Sequence, residues 1–276
     1  MRSDSHDEYM NFYAPETVHQ PVVICIDTSE SMGMDTGNGK SKIQTVQELL
    51  NSICSVELSE AEKKSVDICV LGFSDTVYTI CDWSNLYSFN GDIKLSAGGK
   101  TALNSAILQA ISKVKEFRKR CWECGIMCRR SQIFVYTDGF STEPMEEAFE
   151  KSIDFFNRQN PSAKLNMVFI PTYYEGKIFK LTDRNNLEDY KQLVKGLGQK
   201  VLFINAENCV DGLPASFEFL KKSIVMLSVS APCESVKVPI NKNLLSFIVG
   251  HGGAGVDDEG NKFVIDNDID DIVFIV

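Results

Sequence analysis

Three short stretches of this 276-residue sequence place carboxylate and hydroxyl side chains where a strand ends or a helix begins. They are Asp27-Thr28-Ser29-Glu30-Ser31, Gly98-Gly99-Lys100-Thr101 and Thr137-Asp138-Gly139. Carboxylate and hydroxyl oxygens are the ligands that hard divalent cations such as Mg²⁺ take in proteins. If the fold brings the three stretches together, they indicate an oxygen-lined site for a divalent cation.

Five side chains of these stretches are the candidate metal ligands: Asp27, Ser29, Ser31, Thr101 and Asp138. We expect the three hydroxyls to coordinate directly, and the two aspartates to hold coordinated water and supply negative charge. Mg²⁺ suits this arrangement because it dehydrates reluctantly and keeps several waters, and Mn²⁺ or Ca²⁺ would bind the same kind of oxygen. One coordination position would stay open for a carboxylate of another protein.

Buried strands alternating with amphipathic helices must position these loops. Continuous apolar runs are typical of strands that are covered on both faces of a parallel sheet. Such runs occupy residues 22–26, 66–73, 133–136, 165–170 and 201–204. Apolar residues at helical spacing predict helices over residues 43–53, 103–114 and 213–227, with weaker patterns at 143–157 and 184–196.

This alternation predicts an α/β fold with a doubly wound, mostly parallel central sheet and helices on both faces. Residues 76–81 follow a strand after a short turn and predict one antiparallel edge strand. In such a sheet the loops at the carboxyl ends of neighbouring strands converge, so the three stretches can surround one point. We predict an N-terminal tail (residues 1–20), the main domain (21–228) and a separate, small β-rich appendage (229–276).

Composition excludes several classes of partner. The chain has 38 acidic and 28 basic residues and a net charge of −10, which argues against nucleic acid as a partner. Neither a membrane-length apolar run nor an apolar secretory segment is present in the sequence. Nine cysteines without an export signal indicate a reducing compartment, so we expect a cytoplasmic protein that contacts no membrane.

The D-x-S-x-S motif at residues 27–31, with Thr101 and Asp138 in two further loops, resembles the metal-ion-dependent adhesion site of von Willebrand factor A domains. The resemblance covers roughly residues 21–228. It implies the Rossmann-like fold of that family and a protein-binding module rather than an enzyme. The implied partner is a protein that supplies an aspartate or glutamate to the metal.

Within that family, Gly98-Gly99-Lys100-Thr101-Ala102-Leu103 is similar to the G-G-T-A-L run of intracellular bacterial TerY-like proteins. Lys100 is an insertion relative to that run, and Phe140-Ser141 also departs from the TerY-like pattern. This resemblance implies a role in a bacterial stress-response or tellurium-resistance-type signalling complex, with a kinase or phosphatase as partner.

Other interpretations remain open. An ATP- or phosphoester-handling α/β enzyme would use Gly39-Lys40-Ser41 before a helix, although Met34 stands where a phosphate-binding loop requires glycine. A structural adaptor without metal would use the serines and aspartate of the first stretch only as loop caps. The spacing of Cys121, Cys124 and Cys128 suits either free thiols or part of a metal cluster, although structural zinc needs four ligands.

Overall fold

The computed structural model describes the chain without a break from residue 17 to residue 138 and in shorter segments beyond it. The later segments are residues 141–143, 166–171, 200–204, 209–231, 234–241, 243–250, 263–266 and 271–275. The predicted tail up to residue 16 and the weaker predicted helices (144–157 of the first, and 184–196) lie outside the described residues.

These residues form β-strands, α-helices and two short 3-10 helices. The strands are β1 (Gln20–Asp27), β2 (Val66–Phe73), β3 (Val77–Asn85), β4 (Gln132–Thr137), β5 (Asn166–Pro171), β6 (Lys200–Ile204), β7 (Ser235–Pro239), β8 (Leu245–Gly250), β9 (Phe263–Asp266) and β10 (Asp271–Ile275). The α-helices are α1 (Lys42–Asn51), α2 (Glu60–Ser65), α3 (Leu103–Glu123) and α4 (Cys209–Val229). The 3-10 helices are Glu30–Gly33 and Ser52–Ser55.

An eight-stranded sheet in the order β3-β2-β1-β4-β5-β6-β8-β9 forms the centre of the fold. β1 pairs in parallel with both β2 and β4, and the parallel pairing continues from β4 through β5 to β6. The chain fills the sheet on one side of β1 first and then continues on the other side from β4. The strand order therefore reverses between β1 and β4, the position at which α/β sheets of this kind bind ligands.

Side chains of β1 alternate between two apolar cores, one on each face of the sheet. Val22, Ile24 and Ile26 pack in the core that contains residues of α1 and α4, and all three are fully buried. Val23 and Cys25 point to the opposite face, where they pack with α3. This two-sided burial confirms the predicted doubly wound α/β class and explains why the strand is a continuous apolar run.

A capping box at Ser41 fixes the start of helix α1. The Ser41 hydroxyl accepts a hydrogen bond from the Gln44 backbone N–H at 3.3 Å, and the Gln44 side chain accepts one from the Ser41 backbone N–H at 2.9 Å. This reciprocal pair satisfies two backbone donors that a helix start would otherwise leave without a partner. Lys42 consequently occupies the first helical position, directly behind the loop that follows β1.

The C-terminal strands do not form a separate element, which corrects one expectation from the sequence. β8 pairs antiparallel with β6, and β9 pairs antiparallel with β8, so both extend the central sheet. β7 and β10 form a two-stranded sheet of their own. Antiparallel strands thus lie at both edges of the sheet and not only at β3. Alternation along a strand predicts which face is buried, but it does not specify the neighbouring strand.

None of the helices in the described part of the chain is both long and apolar enough to span a bilayer.

Candidate metal centre

Asp27 ends β1 and is held rigidly at the reversal point of the sheet. Its side chain is fully buried. Oδ1 accepts a hydrogen bond from the Ser29 backbone N–H at 2.8 Å, and Oδ2 accepts one from the Thr137 hydroxyl at 2.6 Å. Because Thr137 ends the adjacent strand β4, the Asp27 carboxylate ties together the two strands between which the strand order reverses.

Burial makes the Asp27 carboxylate hard to ionise. Its loss of solvent raises the pKa of Asp27 to about 6, and the negative charge of Asp138 contributes in the same direction. The hydrogen bonds from Thr137 and Ser29 favour the carboxylate but only partly compensate. A nearby cation would stabilise the ionised form, which is a typical property of a carboxylate in a cation site.

A chain of polar contacts links the first loop to Asp138, which follows β4. The hydroxyl oxygens of Ser29 and Ser31 lie 3.2 Å apart, and Ser31 donates a hydrogen bond to Asp138 Oδ1 at 2.6 Å. The 3-10 helix Glu30–Gly33 follows Ser29 and supplies the turn that brings Ser31 back toward the sheet edge. The structure therefore brings together four of the five predicted site residues through direct contacts.

Thr101 lies in a loop that is fastened to the first loop through its backbone. The Gly98 N–H donates to the Thr28 carbonyl at 2.8 Å, and the Glu30 N–H donates to the Gly99 carbonyl at 3.1 Å. The Thr101 side chain is largely buried, and its carbonyl accepts a hydrogen bond from the Thr142 N–H at 2.9 Å. These bonds place the Thr101 loop beside the two serines.

Lys42 contacts one of the predicted site residues, and the sequence analysis missed it. Its Nζ lies 2.5 Å from Asp138 Oδ2, and the side chains of Lys42 and Asp138 are 7% and 1% exposed. A cation at the first position of a helix is unfavourable because the helix N-terminus carries partial positive charge. A lysine directly after the capping residue of a predicted helix is therefore the sequence feature that could have indicated a carboxylate near Lys42.

The donor set fits a hard divalent cation. It consists of the buried Asp27 carboxylate, the Asp138 carboxylate, whose side chain is 1% exposed, and the hydroxyls of Ser29, Ser31 and Thr101. Oxygen donors of this kind select Mg²⁺, Mn²⁺ or Ca²⁺ over softer metals. Across the described ranges, no group of three or more His, Cys, Asp and Glu side chains is arranged to hold a metal. A cation here would depend on the hydroxyls, as the spacing in the sequence predicts.

The loop before α1 does not present a free phosphate cradle. Its backbone donors at Gly37 and Gly39 both point to Asp35 Oδ1, at 2.6 and 3.2 Å. Lys40, which would have to contact a phosphate, forms an exposed ion pair with Glu48 at 2.7 Å. The loop thus uses its own carboxylate where a phosphate-binding loop would use the ligand.

The cysteine cluster and a buried histidine lie at the other end of the sheet. Cys121, Cys124 and Cys128 are free thiols, and within the described residues they belong to no metal-binding group. His19 Nδ1 lies 2.7 Å from Asp67 Oδ2, and both side chains are fully buried. His19 immediately precedes β1, and Asp67 is the second residue of β2, so the pair lies at the opposite end of these strands from the candidate metal centre.

Comparisons with known proteins agree with this geometry. The sequence model of the von Willebrand factor type A domain matches residues 22–140, which include all five predicted site residues. No protein of the curated set matches the chain.

Two solved structures share the fold at low sequence identity. The PilB minor pilin from Streptococcus sanguinis aligns with a TM-score of 0.50 and 15% identity, covering 80% of this chain and 65% of that one. The pilus adhesin SpaC from Lactobacillus rhamnosus GG aligns with a TM-score of 0.56 and 10% identity, covering 87% of this chain and 37% of that one. This chain spans less than two thirds of either structure. The match over residues 22–140, together with the parallel pairing of β1 with β2 and β4, supports a von Willebrand factor type A domain in this chain.

Proposed function

We propose that this protein is a metal-dependent protein-binding module. Ser29, Ser31 and Thr101 would provide hydroxyl ligands to a divalent cation, with Mg²⁺ the first choice and Mn²⁺ or Ca²⁺ the alternatives. Asp27 and Asp138 would provide negative charge through hydrogen-bonded water. The bound cation would supply an electrophilic centre for a carboxylate of the partner protein. Domains of this family generally act in protein interaction and adhesion.

The observation that carries the proposal is the buried Asp27 carboxylate at the reversal point of the sheet. Two hydrogen bonds hold it, and its pKa is nevertheless raised to about 6. A carboxylate that is disfavoured in its charged form and lies at the ligand-binding edge of an α/β sheet is a candidate functional group. The serine pair adjoining Asp27 completes an oxygen-rich surface that suits a hard cation.

Binding without catalysis follows from the roles that these residues can fill. Among the described residues, His19 is the histidine, and it precedes β1, at the opposite end of that strand from the site. The hydroxyls of Ser29 and Ser31 contact each other and Asp138. The phosphate-binding alternative loses support because Asp35 already occupies the donors of its loop. We therefore propose that the protein is not an enzyme.

The cellular setting is proposed from the sequence of the Thr101 loop. Its likeness to TerY-like proteins favours a cytoplasmic role in a bacterial stress-response or tellurium-resistance-type signalling complex, with a kinase or phosphatase as partner. The net charge of −10 favours a partner with a basic surface around the acidic residue that reaches the cation.

Metal binding tests this function directly. We expect Thr101→Ala to weaken the Mg²⁺ affinity of the full chain by about tenfold or more, as measured by calorimetry, while the melting temperature in EDTA stays close to that of the parent. Thr79→Ala, which changes an exposed threonine of β3, is the matched control and should leave Mg²⁺ affinity unchanged. Equal affinity in Thr101→Ala and the parent would contradict the coordination role of Thr101.

Partner chemistry is tested with peptides that present one aspartate or glutamate, each paired with its asparagine or glutamine analogue. Binding should require both Mg²⁺ and the carboxylate and should disappear in EDTA. Thermal stabilisation by ATP but not by Mg²⁺ would instead favour the nucleotide-handling enzyme.

A further inference from the structure

The charge of the candidate metal centre is set by three buried or nearly buried groups, and one of them is a cation of the chain itself. Asp27 and Asp138 bring negative charge, and the Lys42 ammonium lies 2.5 Å from Asp138 Oδ2. The remaining oxygen of Asp138 accepts the hydrogen bond from Ser31. Lys42 therefore contacts the same carboxylate that contacts a predicted metal ligand.

We propose that Lys42 is a tethered cation that competes with the divalent metal and sets the affinity of the site. This inference rests on the proposed function, since it concerns the same site. With Lys42 in place, the three groups carry one net negative charge, whereas without it they carry two. A divalent cation beside them therefore meets half of the net negative charge, because the ammonium repels it.

The position of Lys42 in the fold keeps its ammonium next to Asp138. The Lys42 backbone N–H donates to the Met34 carbonyl at 3.0 Å, and Ser41 caps the helix immediately before it. The root of the side chain is consequently fixed behind the first loop. With only 7% of the side chain exposed, the ammonium is poorly hydrated and depends on Asp138 for compensation.

The buried ion pair of Lys42 is not shared by the nearby Lys40. It lies two positions earlier and pairs with Glu48 at 2.7 Å, but both side chains of that pair are about half exposed. Such a pair contributes little to stability and its charge is screened by solvent. Lys40 is therefore the natural control for Lys42.

The ion pair should also support the fold in the absence of metal. A buried carboxylate that loses a cationic neighbour is left with an uncompensated charge, which destabilises the folded chain. The Lys42–Asp138 pair thus stabilises the metal-free folded form and, for the same reason, lowers the affinity of the site for metal. Replacing Lys42 should shift both properties in opposite directions.

The test compares Lys42→Met, Lys42→Gln and Lys40→Met with the parent, each as the full chain titrated with Mg²⁺ in a calorimeter. Both Lys42 variants should bind Mg²⁺ at least about tenfold more tightly than the parent, because a repelling unit charge in contact with Asp138 has been removed. Lys40→Met should match the parent. Lys42→Gln retains a hydrogen-bond donor without the charge, so it separates the loss of charge from the loss of a contact.

Melting temperatures in EDTA and in saturating Mg²⁺ provide a second measurement, which covers a variant that folds poorly without metal. The Lys42 variants should melt below the parent in EDTA and gain more from Mg²⁺ than the parent gains. If all chains bind Mg²⁺ with equal affinity and equal thermal gain, the tethered-cation role is wrong while the proposed function stands. If none of them binds Mg²⁺, the proposed function fails and this inference fails with it.

Discussion

Asp27 carries a free-energy cost that its hydrogen bonds do not fully offset. Its carboxylate is fully buried, and its pKa of about 6 lies well above the ordinary aspartate value of 3.8. A raised carboxyl pKa means that the folded chain holds its proton more tightly than the unfolded chain does. The residue is thus retained at the expense of stability, as expected for a group with a function.

The stability of the metal-free protein should therefore depend on Asp27 in a defined pH window. Between about pH 4 and pH 6 the folded state binds more protons at Asp27 than the unfolded state does, so this residue lowers stability as pH rises. Asp27→Asn removes that contribution. The free energy of unfolding of the variant, relative to that of the parent, should therefore rise by up to about 3 kcal/mol as the pH increases across the window. Urea unfolding in EDTA at several pH values measures this, and a difference that does not change with pH would contradict it.

The Thr101 loop shows how one glycine conformation fixes the position of a predicted ligand. Gly99 has a φ of +82°, a left-handed conformation that other residues adopt only at a cost. A Cβ atom at this position would also lie 2.5 Å from Asp75 Oδ2. The same aspartate accepts a hydrogen bond from the Lys100 N–H at 3.1 Å. The loop beside Thr101 therefore has little room to change.

Gly99→Ala should displace this loop and weaken Mg²⁺ binding by about tenfold, with a loss of roughly 1–2 kcal/mol in unfolding free energy from the backbone strain alone. Gly98→Ala is the matched control, since nothing lies within 4 Å of its Cβ position and its φ is not in the left-handed range. Calorimetry and urea unfolding of both variants check the pair. Equal effects of the two substitutions would show that the loop conformation does not position Thr101.

The molecule as a whole includes the C-terminal strands in its main core. Val236, Val238 and Leu245 are buried in the same core as β1, α1 and α4. β7, which pairs with β10, contributes Val236 and Val238 to this core, while β8 pairs with the edge of β6. A chain cut after residue 228 would expose both the core and an unpaired strand edge, which favours aggregation.

Val238→Ala should accordingly lower the free energy of unfolding by about 2 kcal/mol, because it removes two buried carbon atoms and leaves a cavity. Lys237→Ala, at the neighbouring exposed position of β7, should change it by less than about 0.5 kcal/mol. Urea unfolding of the two full-length variants makes the comparison. If Val238→Ala were as stable as Lys237→Ala, residues beyond 228 would be an appendage as the sequence first indicated.

The sequence by itself determined the fold class and the five candidate ligands, because both follow from local patterns. Continuous apolar runs predicted strands buried on two faces, and their alternation with helices predicted a doubly wound, mostly parallel sheet. Oxygen-bearing residues at the ends of those strands were then predicted to lie together at the carboxyl edge of the sheet. Neither conclusion required knowledge of which distant side chains meet.

Only the tertiary structure decided the contacts between residues far apart in the chain. The pairing of β8 with β6 was missed because strand alternation does not name a partner, and Lys42 was missed because its role depends on Asp138, 96 residues away. The hydrogen bond from Thr137 to Asp27 spans 110 residues in the same way. Such contacts arise when the sheet closes and neighbouring strand ends meet, so the charge balance of the site is a property of the fold and not of any single motif.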